Sequence, residues 1–274
     1  MKKLLSIAAL FGTTLMAANV MPYGAFIDYS GNTAKDKAGL VGVYASIDSL
    51  PFKFELDTEY VYIKYKDTTP NYKQTDITFL GNYYYGNNYA YRIGIHNMFI
   101  NQKDNSDKYD NVVFAGATYY EYLKYNVGVD VYMSTYDNFK AYQISPKYGF
   151  NFGNYYAEDG AFYAEAKLNY IHISKSGYTS KTNYTDIDLK LENYKGPWAT
   201  TISGSFGKNA YKVANGGFTV YNLGEDYKYS YGLAVKYSLD KVSSVKVSYN
   251  RSKFSKSGAD SYSNVFLVSY LRAF

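Results

Sequence analysis

Residues 52–60 read Phe-Lys-Phe-Glu-Leu-Asp-Thr-Glu-Tyr, with apolar residues or Thr at the even positions and Lys53, Glu55, Asp57 and Glu59 at the odd ones. Side chains of a β-strand alternate between two faces, so this stretch has one greasy face and one charged face. The same alternation runs through 125–131, 185–191 and 229–237. No stretch after residue 18 carries a convincing 3.6-residue period, so the chain is predicted to be all-β.

Extending this rule places strands at 20–30, 38–47, 52–65, 73–85, 89–99, 110–121, 125–135, 139–151, 160–173, 182–194, 197–207, 226–238, 242–254 and 261–274. The count is fourteen, even as in single-chain bacterial barrels. Short turns (48–51, 86–88, 121–124, 195–196, 240–241) alternate with longer polar connections (31–37, 66–72, 100–109, 174–181, 208–225, 255–260). That alternation is expected of a barrel whose two termini share one side. Two places break it: 136–138 is short for its side and 152–159 is long. A misread hairpin there would reduce the count to twelve.

What such a chain does with its greasy faces is constrained by composition. Mean hydropathy is −0.36, yet 20% of residues are aromatic and 37 are Tyr. Tyrosine concentrates where one end of a side chain is apolar and the other wet, as at membrane interfaces. Tyr83, Tyr85, Tyr89 and Tyr91 flank one short turn, Tyr119, Tyr120, Tyr122 and Tyr125 a second, and Tyr194 and Trp198 a third. Tyr60, Tyr62, Phe99, Tyr170, Phe206 and Phe266 lie toward the longer connections. Two aromatic girdles are therefore expected. Charges on the greasy phase, Lys64, Arg251 and Arg272, sit near strand ends. A soluble sandwich would leave this tyrosine-rich surface and its strand edges exposed; a closed membrane barrel removes both problems.

The first residues, Met1-Lys2-Lys3 followed by an apolar run from Leu4 and small residues ending at Ala17-Ala18, have the form of a secretory signal. The run is shorter than the ~20 apolar residues of a spanning helix. Residues 1–18 are expected to be cleaved and 19–274 to form the barrel. There is no Cys, so no disulfide or thiolate site. The formal charge of +5 falls to about +3 without Lys2 and Lys3, too little to argue for nucleic acid.

The last strand, Ser263-Asn264-Val265-Phe266-Leu267-Val268-Ser269-Tyr270-Leu271-Arg272-Ala273-Phe274, resembles the closing strand of Gram-negative outer-membrane β-barrels. In that family a terminal Phe, preceded by aromatic or apolar residues at alternate positions, is recognised by the barrel-assembly machinery. Phe274, Tyr270, Val268 and Phe266 match; Arg272 departs from the pattern. By length and strand count the chain is similar to small fourteen-stranded monomeric porins. The resemblance implies an outer-membrane location among lipid and lipopolysaccharide.

The other face of the strands lines the interior. Its candidate pore-lining residues are Lys53, Glu55, Asp57, Glu59, Asp76, Arg92, Asp130, Lys147, Lys167, Asp188, Lys190, Lys236 and Lys246, with Glu165, Asp186, Glu192 and Lys228 in the same phase. So many charges are costly in a dry interior unless paired, which favours a water-filled lumen. Their near balance predicts weak ion selectivity for a diffusion pore passing small hydrophilic solutes. The first predicted strand starts close to residue 18, so no N-terminal plug is expected. The connection 208–225, with its Gly216-Gly217 pair and apolar neighbours, either folds into the mouth or stands above it as a loop or hairpin.

Two other readings stay open. A structural or adhesive barrel would use its loops, but outside 208–225 these are predicted to be no longer than about ten residues. An enzyme would need a positioned His and, for a lipase, a nucleophilic Ser. His96 is on the inner phase and His172 on the lipid phase, and neither sits in a recognisable motif. No catalytic activity and no cofactor are expected. Two separated His and no Cys argue against a metal centre, and a Ca²⁺ site at Asp104 and Asp107 has no further support.

Overall fold

The computed structural model describes residues 17–67, 69–101, 108–256 and 258–274. Residues 1–16, with most of the expected signal, and Asp104 and Asp107 lie outside them. The strands are β1 (Ala17–Gly31), β2 (Lys35–Ser49), β3 (Phe52–Tyr65), β4 (Tyr72–Tyr85), β5 (Tyr89–Asn101), β6 (Lys108–Glu121), β7 (Tyr125–Tyr136) and β8 (Phe139–Gly153). They continue with β9 (Ala161–Ile173), β10 (Asn183–Lys195), β11 (Trp198–Asn209), β12 (Val213–Ala214), β13 (Thr219–Val220), β14 (Asp226–Ser238), β15 (Ser243–Lys256) and β16 (Ala259–Ala273).

All but β12 and β13 form one closed antiparallel barrel of fourteen strands, each paired with its neighbour in the chain, β11 with β14, and β16 with β1. Closure is completed at the ends, where Phe274 N–H donates to Ala18 O at 2.8 Å and Ala18 N–H to Phe274 O at 3.3 Å. Every backbone ladder then has a partner on both sides, which the hydrocarbon core of a membrane demands.

The two irregular connections resolve without changing the count. β7 and β8 meet through a two-residue turn at Asp137-Asn138, and residues 154–160 join β8 to β9. The main departure is strand length. β1, β2, β15 and β16 extend through most of 31–37 and 255–260, which the alternation placed in loops. Among their extra residues Lys35 and Ser255 are buried.

The outward phase is apolar and exposed, with Val41, Ile93, Val131, Ile202 and Val247 in the middle of their strands. At the short-turn end aromatic rings follow one another around the rim. Phe52 meets Tyr83 at 5.2 Å, Tyr89 meets Tyr119 at 5.3 Å, Phe152 meets Phe162 at 5.1 Å and Trp198 meets Tyr237 at 4.6 Å. The three charges expected on this phase each have a partner: Lys64 has Asp36 at 3.8 Å, Arg251 the Tyr262 ring at 4.8 Å, and Arg272 Asp240 at 3.8 Å. In the turn before β15 the Val242 N–H, at 2.8 Å, and Ser243 hold the Asp240 carboxyl below its ordinary value.

Val131 sits at the middle of β7 on this face. Val131→Arg is expected to cost about 2–4 kcal/mol of folding free energy, the price of a cation at the bilayer midplane. Urea titration of the protein refolded into lipid vesicles measures it; an unchanged midpoint would place this face away from lipid.

Candidate functional site

The candidate pore residues share the lumenal phase of their strands, and the structure gathers them into distinct groups. On one side of the ring they pair across strands. Asp130 on β7 lies between Arg92 on β5, at 2.8 Å, and Lys147 on β8, at 3.6 Å. Lys167 on β9 faces Asp188 on β10 at 3.9 Å. Lys190 reaches Glu165 at 3.9 Å and Glu192 at 3.7 Å. On β3, Lys53 pairs with Glu55 at 3.2 Å, and Glu55 also accepts from Tyr44 and from Asn82.

Two groups lack an opposite charge. Asp57, Glu59 and Asp76 crowd together on β3 and β4, and Glu59 stands directly opposite Asp76 in the ladder. Tyr23 on β1 reaches past β2 and donates to this group, its hydroxyl 2.9 Å from Asp57 and 3.0 Å from Glu59; Gln74 Nε2 donates to Asp76 at 2.7 Å. The nearest basic atom is His96 Nε2, 3.9 Å from Asp76, while His96 Nδ1 shares a 2.7 Å hydrogen bond with Thr78. The second group is Lys236 and Lys246, which face each other across β14 and β15, with no carboxylate in salt-bridge reach among the described residues.

The lumen is not open over its full width, and of the two dispositions open to 208–225 the inward one is found. Residues 210–225 turn inward after β11. Gly207 makes this possible: at φ +111° it forms a bulge, and a Cβ there would sit 2.6 Å from Thr185 O. The chain then forms a Gly-turned hairpin, β12 and β13, inside the barrel rather than above it. Gly217 lies so close to the Phe114 ring on β6 that any side chain would collide with it.

Named contacts fix this segment to walls all round the ring. Lys212 Nζ donates to Asp188 at 2.6 Å, Asp186 at 2.8 Å and Ser205 at 3.1 Å. The Gln143 amide on β8 pairs with the backbone of Val213 as both donor and acceptor, each bond 2.8 Å. Asn222 donates to Gln74 on β4 at 2.8 Å. Glu225 is joined to Lys35 on β2 at 2.6 Å, both almost sealed from solvent. Phe218 meets Tyr44 edge-on at 5.8 Å, although β2 is five strands from β11 around the barrel.

This segment changes the state of the wall charges. Asp130 and Asp186 are each only 2% exposed. Lumenal charge is therefore not held by water alone, as the charge count had implied. Pairing across strands and the Lys212 ammonium replace much of the hydration, the condition under which buried charge is tolerated.

Lys35, Lys212, Glu225, Gln143 and Tyr23 were not anticipated. A signal for the inward segment did exist. Toward the long-loop end the charged phase turns apolar: Glu59 is followed at strand spacing by Val61 and Ile63, His96 by Met98 and Ile100, Asn169 by Ile171 and Ile173. Apolar side chains on a lumenal face need a cover, and Tyr211, Val213, Phe218 and Leu223 supply it. Beside the hairpin a cavity of about 800 Å³ remains, lined by Arg92, Lys147, Lys167, Lys190 and Lys246 among others. His96 is 1% exposed, and His172 faces outward with Nδ1 2.8 Å from Asn183 Oδ1.

No family model and no curated protein matches this chain. Solved structures do. The CymD monoaromatic hydrocarbon channel aligns over 94% of this chain and 88% of its own, with a TM-score of 0.62 at 8% identity. The toluene transporter TbuX of Ralstonia pickettii aligns over 96% and 90%, with a TM-score of 0.58 at 8% identity. The outer membrane protein Omp33 of Acinetobacter baumannii aligns over 94% and 97%, with a TM-score of 0.52 at 11% identity. At such identities the likeness is one of fold, and function must be argued from the site. The chain has the closed antiparallel fold of the outer-membrane β-barrels it resembles.

Proposed function

We propose that this chain is an outer-membrane diffusion channel for small hydrophilic solutes and ions, with its bore set by the inward segment 210–225. The observation that carries this reading is the cavity of about 800 Å³ left between that segment and the charged wall. A barrel serving only as structure has no use for a lumen lined in this way. The short connections 32–34 and 137–138 at the long-loop end offer little adhesive surface. Neither His is placed for catalysis, since His96 is sealed and His172 lies on the outer phase.

Weak ion selectivity follows from the wall. Most of the candidate pore charges neutralise one another, and the two groups of them without a counter-charge, Asp57/Glu59/Asp76 and Lys236/Lys246, have opposite signs. Export by the leader 1–18 and recognition of the strand ending at Phe274 by the assembly machinery complete the proposal, with outer-membrane lipid and lipopolysaccharide as its surroundings.

The test is single-channel recording of the refolded protein in planar bilayers. Steady steps with a cation-to-anion permeability ratio within about threefold of unity are expected of a self-neutralised wall; silence from demonstrably folded protein would overturn the reading. The triple variant Asp57→Asn, Glu59→Gln, Asp76→Asn removes one uncompensated group and is expected to shift that ratio toward anions. Reversal potentials in a salt gradient read the shift, and an unchanged ratio would take these carboxylates off the conduction path.

A further inference from the structure

The cavity beside the hairpin has two unlike walls. On β16, β1 and β2 the lumenal phase is apolar over its middle stretch, with Ser263, Ser269 and Ser46 beyond it. Val265 stands opposite Ile27 and Ile27 opposite Ala38, while Leu267 stands opposite Ala25 and Ala25 opposite Leu40, giving two adjacent apolar rows. Ile27, Leu40, Val265 and Leu267 line the cavity and are half-buried. Across the ring of fourteen strands, β5, β8, β9 and β10 present Arg92, Lys147, Lys167 and Lys190 to the same space.

The polar wall also has a sign. Six basic and four acidic residues line this cavity. Asp130 is the single carboxylate between Arg92 and Lys147. A cationic surface thus faces an apolar one across water. A pore for purely hydrophilic solutes gains nothing from the apolar rows, which cost free energy in proportion to the area they leave wet. An amphipathic anion would cover them while its carboxylate approached the guanidinium, whose planar donors suit that group.

We propose that this cavity is a selectivity site for small amphipathic monocarboxylates, molecules with an apolar body and one carboxylate. The inference rests on the channel reading for its biological meaning, but binding alone can test it. Four probes separate the features: 4-phenylbutyrate has both, gluconate keeps the charge without the apolar body, 4-phenylbutanol keeps the body without the charge, and 4-phenylbutylamine reverses the sign. Each is titrated calorimetrically into the barrel in lipid nanodiscs, with the signal of empty discs subtracted, and each is added to the bilayer recordings as a blocker of salt current.

4-Phenylbutyrate is expected to bind at least about tenfold more tightly than the other three. It is also expected to interrupt the current at correspondingly lower concentration. Leu40→Asn or Leu267→Asn should remove most of its advantage over gluconate, and Arg92→Gln most of its advantage over the alcohol. Equal affinities for 4-phenylbutyrate and gluconate, or tighter binding of the amine, would overturn the proposal while leaving the channel intact. A protein that binds 4-phenylbutyrate selectively but never conducts would sustain the site and sink the channel reading.

Discussion

Replacing residues 213–220 by a short Gly-Ser bridge is expected to raise single-channel conductance by about two- to fivefold, because flux through a pore follows its narrowest wetted section. The segment reaches from Lys212, at the β10 wall, to Phe218, against Tyr44 on β2. The barrel does not depend on it for closure, since the hairpin pairs only with itself and the fourteen-stranded ladder is continuous without it. The replacement should therefore fold, with the usual compact band on unheated gels confirming the barrel. It leaves Ile171, Ile173, Met98 and Val112 facing water, so a lower unfolding midpoint is expected alongside the larger current. A folded variant with unaltered conductance would show that ions pass elsewhere and that the segment does not set the bore.

How much of this was legible in the sequence differs between fold and site. Period two is a local property, so a stretch such as 52–60 reveals its strand and both its faces without knowledge of its neighbours. Chaining such stretches gave the barrel, its aromatic rims and the lumenal phase. Strand ends were less legible at β1, β2, β15 and β16, which run on into 31–37 and 255–260 where polar residues resemble a loop. On β3, placed at 52–65 as found, the lumenal phase carries Val61 and Ile63 instead of charge where the inward segment covers the wall. The apolar rows of β1, β2 and β16 lie in strands with hydrophobic residues on both phases, a pattern in which period two does not mark a second apolar surface. Partners were beyond reach altogether. Lys212 lies in a stretch without period, and its contact with Asp186 and Asp188 depends on a bulge at Gly207 that only the folded backbone displays.

Lys212 is also where the inward segment is most exposed to a single change. Lys212→Met keeps the length of the side chain but removes the ammonium from between Asp186 and Asp188. The Asp186 side chain is fully buried and the lysine nearly so. Taking one partner from such a pair costs about 3–5 kcal/mol, because the remaining charge is left without either its counter-ion or water. Here the barrel need not unfold to avoid that cost. Releasing the segment lets water reach both carboxylates, so the loss is expected to appear as local opening and not as global unfolding. Limited proteolysis should cut within 210–225 much faster than in the parent, and recordings should show flicker between the parental level and a larger one, while the urea midpoint of the barrel moves little. Adding Asp186→Asn removes the stranded charge, while Asp188 keeps Lys167 at 3.9 Å, and should return protection and a quiet current, because the neutral amide can stay under the segment with Asn169 as a hydrogen-bonding partner. If Lys212→Met alone is as protected and as quiet as the parent, the ion pair does not hold the segment. The restraint would then pass to the Gln143–Val213 and Lys35–Glu225 contacts.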